Sequence, residues 1–113
     1  MKIINKTKNT VLAKNAIVAD TVFKRIKGLL GRKDFIEGEA LIIKPCNSIH
    51  TFFMRFPIDV LFVDKHNQVI KLISSLIPAR LTYIYFNSAF VIELPTGTAQ
   101  STFTSKGDTI SIE

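Results

Sequence analysis

Hydrophobic positions along the chain fall mainly into short runs separated by Asn, Lys, Gly and Pro, and this pattern predicts many short strands. Two of the runs, Ile49–Met54 and Ile58–Val63, carry large apolar groups at odd and even positions alike, which predicts central strands covered on both sides. The other predicted strands are Lys2–Asn5, Thr10–Ala13, Ala16–Val18, Ala40–Ile43, Val69–Ser74, Leu81–Phe86, Ala89–Leu94 and Asp108–Ile112.

One long segment has helical periodicity. Asp20-Thr21 is an N-cap signal, apolar residues then recur at helical spacing, and Gly28 and Gly31 favour an end, so the prediction is one packed helix over about residues 21–30. Thr98–Ser105 predicts a short C-terminal helical turn. Together these elements predict a mainly β fold with minor α content, a compact single domain over residues 1–113. Its short, mostly antiparallel strands are expected to form a β-barrel or a sandwich.

Charge is distributed unevenly in this basic chain. The formal net charge is +6, and residues 1–44 carry all of that excess, since residues 45–113 hold five Lys/Arg and five Asp/Glu. Such an excess can attract anionic partners or, on exposed strands, discourage edge-to-edge association. Nucleic-acid binding is not predicted, because no DNA- or RNA-binding motif accompanies the charge.

The remaining composition bounds the cellular setting. The N-terminal residues lack the apolar stretch of a signal peptide, and no apolar run is long enough to predict a membrane span. A single cysteine suits a reducing compartment. The expectation is therefore a cytoplasmic protein, with export from a longer precursor left open. The sequence predicts no cofactor and leaves the oligomeric state undetermined.

The run from Cys46 to Asp64 is the most unusual part of the chain. It places the only cysteine, one of two histidines, an arginine and two aspartates in an otherwise apolar and aromatic stretch. Reactive and charged groups are costly inside a protein unless they are paired. The run therefore indicates either a polar network that the fold requires or a functional site.

Cys46 and His50 are candidates for a nucleophile and its base. On a regular strand their side chains would be too far apart, at about 13 Å, although a turn over residues 45–48 would shorten the distance. The alternative is a small, inert, buried thiol. Metal binding is not predicted, because Cys46, His50, His66 and Met54 do not complete a zinc or copper ligand set.

Arg55 and Asp59 flank Pro57 within the same run. Paired, they would fix the bend between two strands, and this structural interpretation is favoured over ligand binding. An arginine with a free edge beside His50 would instead grip a carboxylate or phosphate. Glu93 is a lone acid in an apolar strand, and Arg25, Arg55 and Arg80 are its candidate partners.

Four segments of the chain carry a resemblance to a known family. They are Ala19-Asp20-Thr21 through Gly31-Arg32, Pro45-Cys46 through Asp64, and Glu93-Leu94-Pro95 with Gly97, followed by Gly107-Asp108. The chain resembles the bacterial and archaeal domain-of-unknown-function family number 192 over nearly its whole length. The resemblance implies a compact, mainly β domain with one packed helix, and it transfers no catalytic residue. Some relatives carry export signals that this chain lacks.

Three hypotheses follow for function. The first is a non-catalytic binding module with a cleft near the run, taking a small anionic ligand or a protein segment through Cys46, His50, Arg55 and Asp59. The second is an enzyme that uses Cys46 as nucleophile and His50 as base. In the third, the run is a purely structural element.

Overall fold

The computed structural model describes all 113 residues and contains eight strands and two short helices. The strands are β1 (Ile3–Asn5), β2 (Thr10–Ala13), β3 (Asn15–Ala19), β4 (Glu39–Ile43), β5 (Ile58–Val63), β6 (Val69–Leu76), β7 (Phe90–Pro95) and β8 (Ile110–Ile112). The helices are α1 (Val22–Lys27) and α2 (Thr98–Ser101). Neither helix has the length and apolarity needed to span a bilayer.

The strands form two sheets. The five-stranded sheet has the order β3-β4-β7-β5-β6, and the three-stranded sheet has the order β2-β1-β8. Only β3 and β4 pair in parallel; the other neighbours are antiparallel. The mainly β, mostly antiparallel fold is confirmed. The barrel alternative is wrong, because the sheets do not close and the larger one keeps β3 and β6 as edges.

Apolar side chains cover both faces of the five-stranded sheet. Its strands β5 and β7 are therefore buried at every position. One face packs with the three-stranded sheet in a cluster that includes Ile3, Ile42, Leu61, Ile92 and Ile110. The opposite face packs in a second cluster beneath irregular segments, with Leu29, Ile43, Ile49, Met54, Val60 and Phe62 among its members. The prediction that Ile58–Val63 is central and covered on both sides is confirmed.

Two predicted strands are wrong. Residues 49–54 and 81–86 form irregular segments that share one isolated bridge, between His50 and Leu81, in place of a continuous ladder. The Thr51 hydroxyl binds the chain just before the second segment, donating to the Ile77 carbonyl at 2.7 Å and accepting from the Arg80 amide at 2.9 Å. A side-chain anchor of this kind replaces the repeated ladder of a sheet.

Helix α1 begins where the sequence predicts and ends earlier. The Thr21 hydroxyl accepts from the Lys24 amide at 3.1 Å, and Gly28 closes the helix at a φ of 46°. No residue within α1 is buried, so the predicted packing against the core is made by Leu29 after the helix. A hairpin turn over Asp64–Gln68 joins β5 to β6, with Asn67 in the left-handed conformation.

Candidate functional site

A cavity of about 370 Å³ opens between α1 and the segment that follows β4. Its polar lining includes Arg25, Lys27, Cys46, His50 and Glu93. Its apolar walls include Val22, Ile26, Leu29, Ile43, Ile49 and Met54. The size and the mixture of apolar walls with few polar groups are typical of a small-molecule site.

The structure separates the four residues that the sequence proposed as a site. Cys46 and His50 line the cavity, whereas Arg55 and Asp59 do not. The chain leaves the sheet after β4, runs along one side of the cavity to Met54, and re-enters the sheet at β5. Asp59 is therefore within the sheet, and Arg55 lies on the connection that leads to it.

Asp59 is bound by backbone groups of the protein itself. It is buried, and its carboxylate accepts from the backbone amides of Ser75 at 2.8 Å, Gly97 at 3.1 Å and Ala99 at 2.9 Å. These bonds join β5 to the end of β6 and to the first turn of α2. A buried carboxylate with this many amide donors is satisfied without a cation.

Arg55 is exposed and forms neither a hydrogen bond nor an ion pair with any protein atom. The chain has two ion pairs, Lys8–Asp108 and Arg32–Glu39. The predicted Arg55–Asp59 pair is therefore wrong. Asp59 is instead bound by the backbone amides of Ser75, Gly97 and Ala99.

Cys46 is half-buried in the cavity wall, with its thiol directed to the backbone. Sγ donates to the Ser48 carbonyl at 3.1 Å, and no hydrogen bond joins it to His50. Burial, together with the nearby Glu93 carboxyl, raises the pKa of the Cys46 thiol. His50 is exposed and stacks on Phe52, with ring centroids 5.3 Å apart. The geometry is that of a neutral thiol without a base.

We expect Cys46 to react slowly with iodoacetamide in the folded protein, because the thiolate is the reactive form and burial disfavours it. The measurement is a pH series of alkylation rates followed by mass spectrometry. The same chain in denaturant is the matched control and should react at the rate of a free thiol. A fast reaction with an apparent pKa below about 8.5 would contradict this and support a nucleophilic Cys46.

Glu93 is the most unusual ionisable group in the cavity. It occupies the middle of β7, opposite Leu41 on one side and Val60 on the other, and it is 3% exposed. Its carboxyl lines the cavity and has no hydrogen-bond partner within the protein. Burial raises the pKa of Glu93 to about 8, so the group is mainly protonated at neutral pH.

Arg25 enters the cavity from α1. Its Nη1 donates to the Pro45 carbonyl at 3.1 Å, while its Nε is buried without an acceptor. None of the three arginines that the sequence suggested as partners of Glu93, namely Arg25, Arg55 and Arg80, forms an ion pair with it. Sequence reasoning singled out both Arg25 and Glu93 but did not place them in the site. The signal in the sequence that could have placed Glu93 in the site is its position as the single acidic residue of an apolar strand.

Metal-ligating side chains do not gather anywhere in the chain. No group of three or more His, Cys, Asp and Glu residues is close enough to hold an ion. His66 lies in the exposed hairpin turn after β5, away from the cavity lining.

Comparison with known proteins identifies the family. The model of DUF192, described as an uncharacterised ACR, matches residues 3–112, so the chain belongs to this family. A UPF0127 protein of Thermococcus sibiricus is 34% identical, over 98% of this chain and 74% of that protein. A UPF0127 protein of Pyrococcus horikoshii is 32% identical, over 96% of each.

A solved structure supports the fold. A protein of unknown function from Novosphingobium aromaticivorans superposes with a TM-score of 0.87 at 19% identity. The match covers 99% of this chain and 84% of that one. At this level of identity the likeness concerns the fold alone.

Proposed function

We propose that the protein is a non-catalytic binding module whose cavity takes a small molecule with a carboxylate head and an apolar body. The observation that carries the proposal is Arg25, a residue of the cavity lining whose Nε is buried without an acceptor, together with a Glu93 carboxyl that lines the same cavity and has no hydrogen-bond partner within the protein. Buried polar groups are almost always paired, and an oxygen atom of a ligand in the cavity would pair the Nε of Arg25.

The electrostatics of the cavity favour an anion. Arg25 and Lys27 are cationic, whereas Glu93 and Cys46 are both neutral near pH 7 because burial raises each pKa. A protonated Glu93 can donate its O–H to a ligand carboxylate, which gives a short, charge-assisted hydrogen bond. Arg25 lies on the same cavity and supplies the compensating charge.

The volume favours a small molecule over the protein segment that the sequence also suggested. The cavity volume of about 370 Å³ lies within the range of ligand pockets, and its apolar lining includes Ile26, Leu29, Ile49 and Met54. The enzyme hypothesis remains the second candidate, since Cys46 and His50 line the same cavity. The missing hydrogen bond between them gives it less support.

We expect hexanoate to bind and hexylamine not to bind, as measured by isothermal calorimetry and amide chemical shifts at about pH 6.5. Replacing Arg25 with glutamine removes the cation and should weaken hexanoate binding by about tenfold or more. Binding to the wild type should also fall above about pH 8, because ionised Glu93 then repels the ligand. In Glu93→Gln, hexanoate binding should not decrease over that pH range.

Arg80→Gln is the matched control, because Arg80 is exposed and lies outside the cavity lining. It should leave hexanoate binding unchanged. The proposal fails if no carboxylate among a series of chain lengths binds, or if Arg25→Gln binds hexanoate as well as the wild type does. The other titratable or charged groups that line the cavity are Arg25, Lys27, Cys46 and His50. All four are present in both the wild type and Glu93→Gln, so they do not account for a difference between the two pH profiles.

A further inference from the structure

We infer that one end of the molecule docks on an anionic lipid surface. This basic apolar end consists of residues 21–33, 44–58 and 77–88. The inference does not depend on the ligand of the cavity, because it rests on side chains that point to solvent around it.

The three segments adjoin one another. The amides of Thr51, Thr82 and Tyr85 donate to the carbonyls of Arg80, Ile49 and Asn47, which joins the second segment to the third. Arg25 donates to the Pro45 carbonyl and joins the first segment to the second. Residues 22–30 and 45–54 then face each other across the cavity.

Large apolar side chains are exposed on all three segments. Phe53, Phe86, Tyr83 and Phe23 are 88%, 84%, 83% and 77% exposed, and Leu81 and Ile84 are exposed beside them. Scattered exposed apolar groups are normal, but a concentration of them on adjoining segments marks a contact surface. Aromatic side chains of this kind are favoured at the boundary between lipid and water.

The charges of the same end are mainly positive, although the exposed Asp20 and Asp34 adjoin the first segment. The three segments hold eight Lys/Arg and no Asp/Glu. Of these cations only Arg32 has an acidic partner within the protein. Lys24, Lys27, Arg55 and Arg80 are thus available to lipid head groups, and such residues attract a protein to anionic membranes.

This combination selects a lipid surface over other occupants. In a symmetric dimer the same surface would meet itself, and Arg55 and Arg80 would face like charges. An acidic protein would match the charge, but a protein interface needs a recess for its apolar anchors. Here Phe53, Tyr83 and Phe86 project from irregular segments and Phe23 projects from α1, and a bilayer accepts such groups without shape complementarity.

The test is co-sedimentation of the whole protein with vesicles of phosphatidylcholine alone or mixed with phosphatidylserine. We expect binding to the mixed vesicles that decreases with added salt. Removing Arg55 and Arg80 together by glutamine should weaken partition, by about fivefold for each charge. The triple change Phe53→Ser, Tyr83→Ser and Phe86→Ser should weaken it by about tenfold or more.

The chain offers matched controls outside the three segments. Phe103 is 72% exposed and, like Phe53, has a positive φ, so Phe103→Ser should leave partition unchanged. Lys65→Gln with Lys71→Gln is the corresponding charge control and should also have less effect than the arginine pair. Circular dichroism should show that every variant is folded.

The inference is overturned if the mixed vesicles do not sediment the protein, or if the control variants lose as much binding as the test variants. Self-association that the triple variant abolishes, without vesicle binding, would assign the surface to a second copy instead. Binding to polyglutamate but not to vesicles would assign it to an acidic protein. Glu93→Gln should bind vesicles as the wild type does. Failure of carboxylate binding in the cavity can therefore be distinguished from failure of vesicle binding.

Discussion

Between about pH 5 and about pH 8 the free energy of unfolding should fall as pH rises, and Glu93→Gln should remove most of that fall. The pKa of Glu93 is raised from 4.5 to about 8 in the folded protein. Within this window the unfolded chain releases the proton while the folded chain retains it. Folding therefore becomes less favourable by about 1.4 kcal/mol per pH unit, or on the order of 4 kcal/mol in total.

The measurement is a series of urea unfolding curves at several pH values in this window. Glutamine keeps the shape and neutrality of protonated Glu93, so the variant should match the wild type near pH 5 and exceed its stability near pH 8. Asp108 and Glu39 do not interfere, because their pKa values are lowered and they titrate in more acidic solution. Cys46, whose pKa is raised above 9.0, titrates in more alkaline solution.

Glu37→Gln is the control for removing an acid without touching the cavity, since Glu37 is exposed. It should retain the wild-type decline. An unchanged decline in Glu93→Gln would show that Glu93 ionises normally, and the charge argument for an anionic ligand would lose its basis.

Asp59→Ala should be the most destabilising single change in the central run. It leaves the amides of Ser75, Gly97 and Ala99 without their acceptor, and the carboxylate that they share is buried. Hydrogen bonds to a charged group contribute about 1.5–3 kcal/mol each, and the Ala99 donor is buried while those of Ser75 and Gly97 are partly buried, so the expected loss is about 3 kcal/mol. Urea unfolding with a common m-value is the appropriate measurement.

Arg55→Ala is the matched control for this prediction. Arg55 has no partner in the protein, so its removal should change the free energy of unfolding by less than about 0.5 kcal/mol. If the two residues formed a structural pair, both changes would be costly. A large loss in Arg55→Ala would therefore contradict the geometry described above.

The central strands could be predicted from the sequence because burial on both faces leaves a local signature. Ile58–Val63 is an unbroken apolar run apart from Asp59, and the structure places it as β5 between β7 and β6. The hairpin turn before β6 can also be predicted from the sequence, because Asn67 tolerates the left-handed conformation that it adopts. These features depend on residues that are neighbours in the chain.

The irregular segments could not be predicted, because contacts remote in sequence determine them. Residues 49–54 have the composition of a strand, yet Thr51 bonds to Ile77 and Arg80, 26 and 29 residues away. Periodicity carries no information about such an anchor. Their apolar side chains also divide between core and solvent, as the buried Met54 and the exposed Phe53 show.

The candidate site was predictable only in part for the same reason. Cys46 and His50 were found because they stand out within one run, and they do share a cavity. Arg25 and Glu93 reach that cavity from α1 and β7, which meet only in the folded chain. Asp59 was recognised as unusual, but its partners, 16 to 40 residues away, could not be inferred.

The position of β1 has a consequence for the order of folding. β1 lies between β2 and β8, so one neighbour is a few residues away while the pairing of Ile3 with Ile112 spans almost the whole chain. A loop of that length closes late, and during synthesis it cannot close before the chain has grown to β8. The cluster that includes Leu61 and Ile92 then lacks Ile110 on a nascent chain. That period is when this protein should depend most on chaperones.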